Sequence, residues 1–123
     1  MTHKILIVDD EPNIVISLEF LMKKEGFEIA VANDGEEALA KVASFKPNLM
    51  LLDVMMPKKS GFEVCEALRA DAANADLQIV MLTAKGRDTE VAKGLAIGAD
   101  AYVTKPFSTK ELVAKVKSML GIA

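Results

Sequence analysis

Short apolar runs alternate with stretches in which apolar residues return at helical spacing, and this alternation sets the plan of the chain. Lys4 to Val8 and Leu49 to Leu52 are nearly continuous apolar runs bounded by polar and turn residues, the pattern of strands buried on both faces. Phe27 to Ala32, Leu77 to Leu82 and Ala101 to Val103 give three more short strands. After the first run, Pro12 suits a first helical turn, and Ile14, Val15, Leu18, Leu21 and Met22 recur until Gly26 stops the segment. Asp34 before Glu37, Ser60 before Glu63 and Ser108 before Glu111 have capping-box spacing and open further helices. Their inward faces are Ala38, Leu39 and Val42, then Phe62, Cys65 and Leu68, and last Leu112, Val116, Met119 and Leu120. Another helix ends at Gly98, and the small polar segment Asp71 to Asp76 reads as a loop whose alanines could extend the helix before it. Five strands alternating with five helices predict a single-domain α/β fold over residues 1–123. It is a doubly wound (βα)5 parallel sheet with helices on both faces and right-handed crossovers.

The 123 residues suffice for one domain with a real core and no staples. Hydrophobic residues make up 51% and charged residues 27%, and no apolar run approaches a membrane span. The acids in the opening MTHKILIVDDE do not fit a signal peptide, so the expectation is a cytoplasmic protein with no membrane contact. The single Cys65 lies on an apolar helical face and reads as a packed thiol. A net charge of −3 with dispersed positive residues argues against direct nucleic-acid contact. His3, the one histidine, is expected to be solvated or to cap the sheet edge.

In a parallel sheet the carboxyl ends of the strands share one edge, where such folds bind ligands. Asp9 and Asp10 follow the first strand, Asp53 ends the third, Thr83 the fourth and Lys105 the fifth. Singly, each has an ordinary structural use as a cap, a turn, a strand end or a solvated charge. Gathered on one edge they imply chemistry. Two carboxylates about 4 Å apart repel by about 4 kcal/mol at the dielectric of a protein surface, so the acids require a cation. All-oxygen ligands at a shallow site suit magnesium, and Lys105 and Thr83 suit phosphate oxygens. Asp53 is then a carboxylate nucleophile whose product is an acyl phosphate.

With these residues in view, Lys4 to Leu120 closely resembles the receiver domain of two-component response regulators, chemotaxis-regulator-like in plan. The resemblance rests on the Asp9 and Asp10 pair and on Asp53 followed by Met56, Pro57 and Gly61. It rests also on Thr83 with Ala84, and on Lys105, Pro106 and Phe107. It implies a flavodoxin-like strand order 2-1-3-4-5. It further implies that Asp53 accepts a phosphoryl group from a phosphohistidine on a sensor kinase or phosphotransfer protein. Asp9, Asp10, Asp53 and the backbone carbonyl of Met55 would hold Mg2+. Thr83, Ala84 and Lys105 would bind the phosphoryl group, with a cis bond before Pro106. Thr83 and Tyr102 would form a switch acting on the surface of the fourth helix, fifth strand and fifth helix, read by an unknown downstream effector. Met55 and Lys85, at positions that vary in the family, would border the path of attacking water and tune the phosphorylated lifetime.

The expected role is signalling, not turnover. One rival is a phosphohydrolase with an Asp nucleophile, such as haloacid-dehalogenase-like enzymes; these carry Asp-x-Asp, whereas Met55 stands where the second acid would be. The other is an interaction module that works without phosphate. Glu111 and Lys115, one turn apart, resemble charges used for dimer pairing and suggest a phosphorylation-dependent homodimer, although Ala101 replaces an acid often found there. Lys58 and Lys59 read as a solvated loop, with kinase docking the lesser alternative.

Overall fold

Leu49, Met50, Leu51 and Leu52 are all fully buried, as a strand covered on both faces requires, and the rest of the sheet is built outward from them. The structure, a computed structural model, describes residues 3–56, 59–84 and 88–122. The strands are β1 (Lys4–Val8), β2 (Glu28–Ala32), β3 (Leu49–Asp53), β4 (Gln78–Ala84) and β5 (Ala101–Lys105). The helices between and after them are α1 (Pro12–Lys24), α2 (Gly35–Phe45), α3 (Gly61–Arg69), α4 (Asp88–Ile97) and α5 (Thr109–Met119). All pairings are parallel, in the order β2-β1-β3-β4-β5, the doubly wound (βα)5 arrangement expected. One core cluster joins Leu6, Val8, Met50 and Leu52 to Val64, Cys65 and Leu68 of α3. The other joins Ile5, Ile7, Leu49 and Leu51 to Leu18 and Met22 of α1 and Leu112 and Val116 of α5.

The helix starts follow the capping chemistry, with one difference. Ser60 and Glu63 form a reciprocal capping box. At α2 the Glu37 backbone N–H donates to Asp34, but the Glu37 carboxylate accepts from the backbone of Asn33 instead of the cap residue. Ser108 accepts from the Glu111 N–H at α5. Pro12 occupies the first turn of α1, and Gly26, which follows it, adopts φ +88, where only glycine is unstrained. Phe62 is partly buried, so the inward face of α3 is completed by Val64. His3 stacks edge-on to Phe27 at 6.4 Å, and its carbonyl accepts from Glu28, so it meets the sheet edge.

The Asp71 to Asp76 segment contains a short 3-10 turn, Ala72–Asn74, capped by Asp71, so the helix does not continue through it. Arg69 explains the turn's position. Its Nε donates to the Gly98 carbonyl at 2.8 Å and Nη1 to the Asn74 carbonyl at 2.9 Å. Nη2 donates to the Leu77 carbonyl and to Asp100 Oδ2, both at 2.7 Å. Asp100 Oδ2 also accepts from the Ile79 N–H. One guanidinium thus ties the end of α3 to the ends of α4 and the 3-10 turn and to the entries of β4 and β5.

Candidate functional site

The carboxyl ends of β1, β3, β4 and β5 bring Asp9, Asp53, Thr83 and Lys105 to one edge, where all three of Asp9, Asp53 and Thr83 are buried. Asp10, next along the chain, is exposed, yet its carboxylate and those of Asp9 and Asp53 offer oxygens within 4.8 Å of one another. Lys105 Nζ sits among the acids, 2.8 Å from Asp9 Oδ2 and 3.3 Å from Asp53 Oδ1. The loop after β3 folds back tightly: Gly61 N–H donates to the Val54 carbonyl at 2.8 Å, and a Cβ at Gly61 would collide with the Asp53 carbonyl. A glycine is therefore required there for packing against the strand that presents Asp53.

Burial pushes the Asp53 carboxyl up to about 6, and the neighbouring Asp9 charge adds to the rise, while Lys105 opposes it. For Lys105, burial disfavours the ammonium, but the hydrogen bond to Asp9 and the charges of Asp53 and Asp9 outweigh it and raise the pKa. Both shifts describe one imbalance: a single ammonium faces more negative charge than it neutralises. The donor set is all oxygen, partly open through Asp10, and carries excess negative charge, which fits a hard divalent cation such as magnesium.

Above Asp53 lies a cavity of about 140 Å³, lined among the described residues by Glu11, Met55, Leu82, Ala84, Glu90 and Lys105. Met55 is 69% exposed at its mouth, and Ala84 is exposed beside it. Lys85, expected to border the same path, lies outside the described residues, as do Pro57 and Lys58; Lys59 is half-buried. The Thr83 hydroxyl is buried and has no hydrogen-bond partner among the described residues. Tyr102 is 41% exposed, with Lys115 Nζ 5.9 Å from its ring centroid. It borders a groove of about 340 Å³ with Glu111 and Phe107. The Lys105–Pro106 bond is cis, as the resemblance implies.

Glu11 was not among the candidate site residues read from the sequence. Its Oε1 accepts from Lys105 Nζ at 3.3 Å, and its backbone N–H donates to Asp9 Oδ1 at 2.9 Å. Its place directly after the Asp9 and Asp10 pair was the available signal. Glu90 gave none, because it comes from α4, a helix whose register the sequence defines weakly.

The family model described as the response regulator receiver domain matches residues 5–117. The DNA-binding response regulator MtrA of Mycolicibacterium smegmatis is 48% identical over 120 residues, 98% of this chain and 51% of that protein. The alkaline phosphatase synthesis transcriptional regulatory protein PhoP of Bacillus subtilis is also 48% identical, over 98% of this chain and 49% of its own length. A solved structure from Chloroflexus aurantiacus, itself taken to be a response regulator, is 36% identical with TM-score 0.94, covering 98% of this chain and 99% of that one. The chain spans about half the length of the curated relatives it matches. The expectation of no direct nucleic-acid contact finds no support in these relatives, one of which is named as DNA-binding; net charge speaks only for the segment whose charge was counted. Among the described residues no helix is long and apolar enough to cross a membrane. Fold, sequence match and the strand-edge acids agree: the chain belongs to the response regulator receiver domain family of two-component systems.

Proposed function

We propose that this receiver accepts a phosphoryl group on Asp53 from the phosphohistidine of a sensor histidine kinase or phosphotransfer protein. The change is then read by a downstream effector in the cytoplasm. The observation that carries the reading is the Lys105 ammonium set between Asp9 and Asp53, beside a third carboxylate close enough to share a cation. Asp9, Asp10, Asp53 and the backbone carbonyl of Met55 would hold Mg2+, directly or through water. When bound, the ion neutralises charge on Asp53 and on the incoming phosphoryl group. An oxygen of Asp53 attacks phosphorus in line, the bond to the histidine nitrogen breaks, and that nitrogen leaves with the electron pair. Lys105 donates to the transferred oxygens, aided by Thr83 and the backbone at Ala84.

The buried Thr83 hydroxyl, which has no partner among the described residues, supports a switch, because a phosphoryl oxygen on Asp53 would give it an acceptor. Tyr102, exposed, then turns inward and alters the α4, β5 and α5 surface. The role is that of a switch and not a turnover enzyme, with self-dephosphorylation slowed by Met55 beside Asp53 and, as the family resemblance implies, by Lys85. Fast loss of phosphate, unchanged in Met55→Asn, would remove that last element. The groove bearing Glu111 and Lys115 is the surface for a phosphorylation-dependent homodimer, checked by size measurement with and without a phosphate mimic. By analogy with the named DNA-binding relative, the effector includes a DNA-binding output.

The test is intact mass after incubation with acetyl phosphate, with and without magnesium. One magnesium-dependent phosphoryl adduct, absent from Asp53→Ala, is the expected result. No adduct, even with a cognate kinase, would favour the phosphate-independent interaction module; steady hydrolysis of phosphate monoesters would favour the phosphohydrolase.

A further inference from the structure

Lys105 carries three N–H donors, and three carboxylates take them: Asp9 at 2.8 Å, Asp53 at 3.3 Å and Glu11 at 3.3 Å. Asp9 and Asp53 are almost wholly buried and belong to the group of acids that can share a cation; Glu11 stands outside that group. Its side chain is 62% exposed, so no packing constraint obliges it to reach Lys105. It also occupies the cap position of α1 without making a side-chain cap bond, leaving the carboxylate free of the usual duty of that position. Its backbone is nevertheless fixed by the N–H bond to Asp9, and the side chain forms part of the wall of the cavity above Asp53.

We propose that Glu11 is a specificity-determining gate: an anion at the mouth of the site that occupies one donor of Lys105 and disfavours small, highly charged phosphodonors. This inference rests on the proposed phosphorylation of Asp53. A doubly charged donor such as acetyl phosphate must approach against the Glu11 charge and take the Lys105 donor that Glu11 holds. A donor of lower charge, or a protein that brings its own positive groups, meets less opposition. In the step itself an Asp53 oxygen forms a bond to phosphorus as the bond to the acetate oxygen breaks, and acetate departs with the electron pair. Glu11 takes no part in that exchange of bonds and acts on the approach of the donor.

The test compares phosphorylation rates of the natural chain and of Glu11→Gln, by intact mass with magnesium, using acetyl phosphate and singly charged phosphoramidate. Removing one charge facing a doubly charged donor in a water-like dielectric raises the rate by about threefold to tenfold at low salt. The gain is smaller with phosphoramidate and shrinks towards unity near 1 M salt, where the screening length is about 3 Å. Glu11→Ala, with the same charge change and a different shape, should show the same pattern, and unfolding curves confirm that both variants are folded. Equal or slower rates with acetyl phosphate at low salt, or a gain that ignores donor charge and salt, would overturn the proposal. If neither the natural chain nor the variants form an adduct with either donor or with a phosphorylated cognate kinase, the proposed phosphorylation fails and the gate falls with it. A natural chain that reacts while the variants match it refutes the gate alone.

Discussion

Replacing Asp53 by asparagine should make the magnesium-free protein more stable at neutral pH. The carboxyl is pushed from 3.8 to about 6 by burial and by Asp9, net of the help from Lys105, and its side chain is only 7% exposed. A shift of about 2 units corresponds to about 3 kcal/mol. Because the folded chain holds this proton more tightly than the unfolded one, the associated stability is full below pH 3.8. It is lost as pH rises through about 6. Asparagine keeps the shape and never ionises, so Asp53→Asn avoids the loss. For a domain of this size about 3 kcal/mol corresponds to a rise in Tm of about 10 °C at pH 7.5. Thermal unfolding followed by far-ultraviolet circular dichroism in EDTA, at pH 7.5 and near pH 4, measures the difference between the two chains, from which titrating groups remote from Asp53 cancel while its neighbours Asp9 and Lys105 contribute. The gap should close at the lower pH, and magnesium should narrow it at the higher one by stabilising only the natural chain. Equal stability at pH 7.5, or a gap of the same size at both values, would refute the reasoning.

Gly61→Ala should lower the urea midpoint by the equivalent of about 1–3 kcal/mol, because its Cβ has nowhere to go but into the Asp53 carbonyl. Arg69→Ala leaves three carbonyls without this donor and takes one of two partners from the Asp100 carboxylate, and should cost about 1–3 kcal/mol. Hydrogen exchange should then accelerate first around Ala72–Asn74. Thr83→Val removes a buried hydroxyl that has no partner among the described residues and should raise stability by about 1 kcal/mol in thermal unfolding, while abolishing any phosphorylation-induced change at Tyr102. Burial pushes the Cys65 thiol up from 9.0, so it should resist a thiol reagent at pH 8 until the chain is unfolded. Its contribution to stability, complete below pH 9.0, declines in more alkaline solution.

The sheet was legible because burial on both faces writes itself into the chain: Ile5 to Val8 and Leu49 to Leu52 admit no polar residue. The site residues followed from topology, since parallel strands put Asp9, Asp53, Thr83 and Lys105 on one edge whatever their separation in sequence. What escaped notice depends on side-chain reach across the fold. Arg69 looks like the basic last residue of an amphipathic helix, and only the folded chain brings Gly98 and Asp100 to it. Glu11 looks like one more surface acid until Lys105, 94 positions away, is folded against it. Helix α4 gave the faintest signal because Gly94 is the only one of its residues that is buried among those described, and a glycine leaves no hydrophobic imprint.

The Arg69 clamp also has a mechanical meaning. By gripping the carbonyl of Gly98, just past the end of α4, it makes that end a fulcrum, while the helix runs back towards the edge that carries Asp53. A ten-residue helix is about 15 Å long, so a tilt of about 10° about its clamped end sweeps the opposite end through about 2.5 Å. The pivot lies on the far side of the sheet from the site, so a tilt of α4 would be greatest where the helix begins, beside the edge that carries Asp53, and Arg69 would set its centre without touching the site.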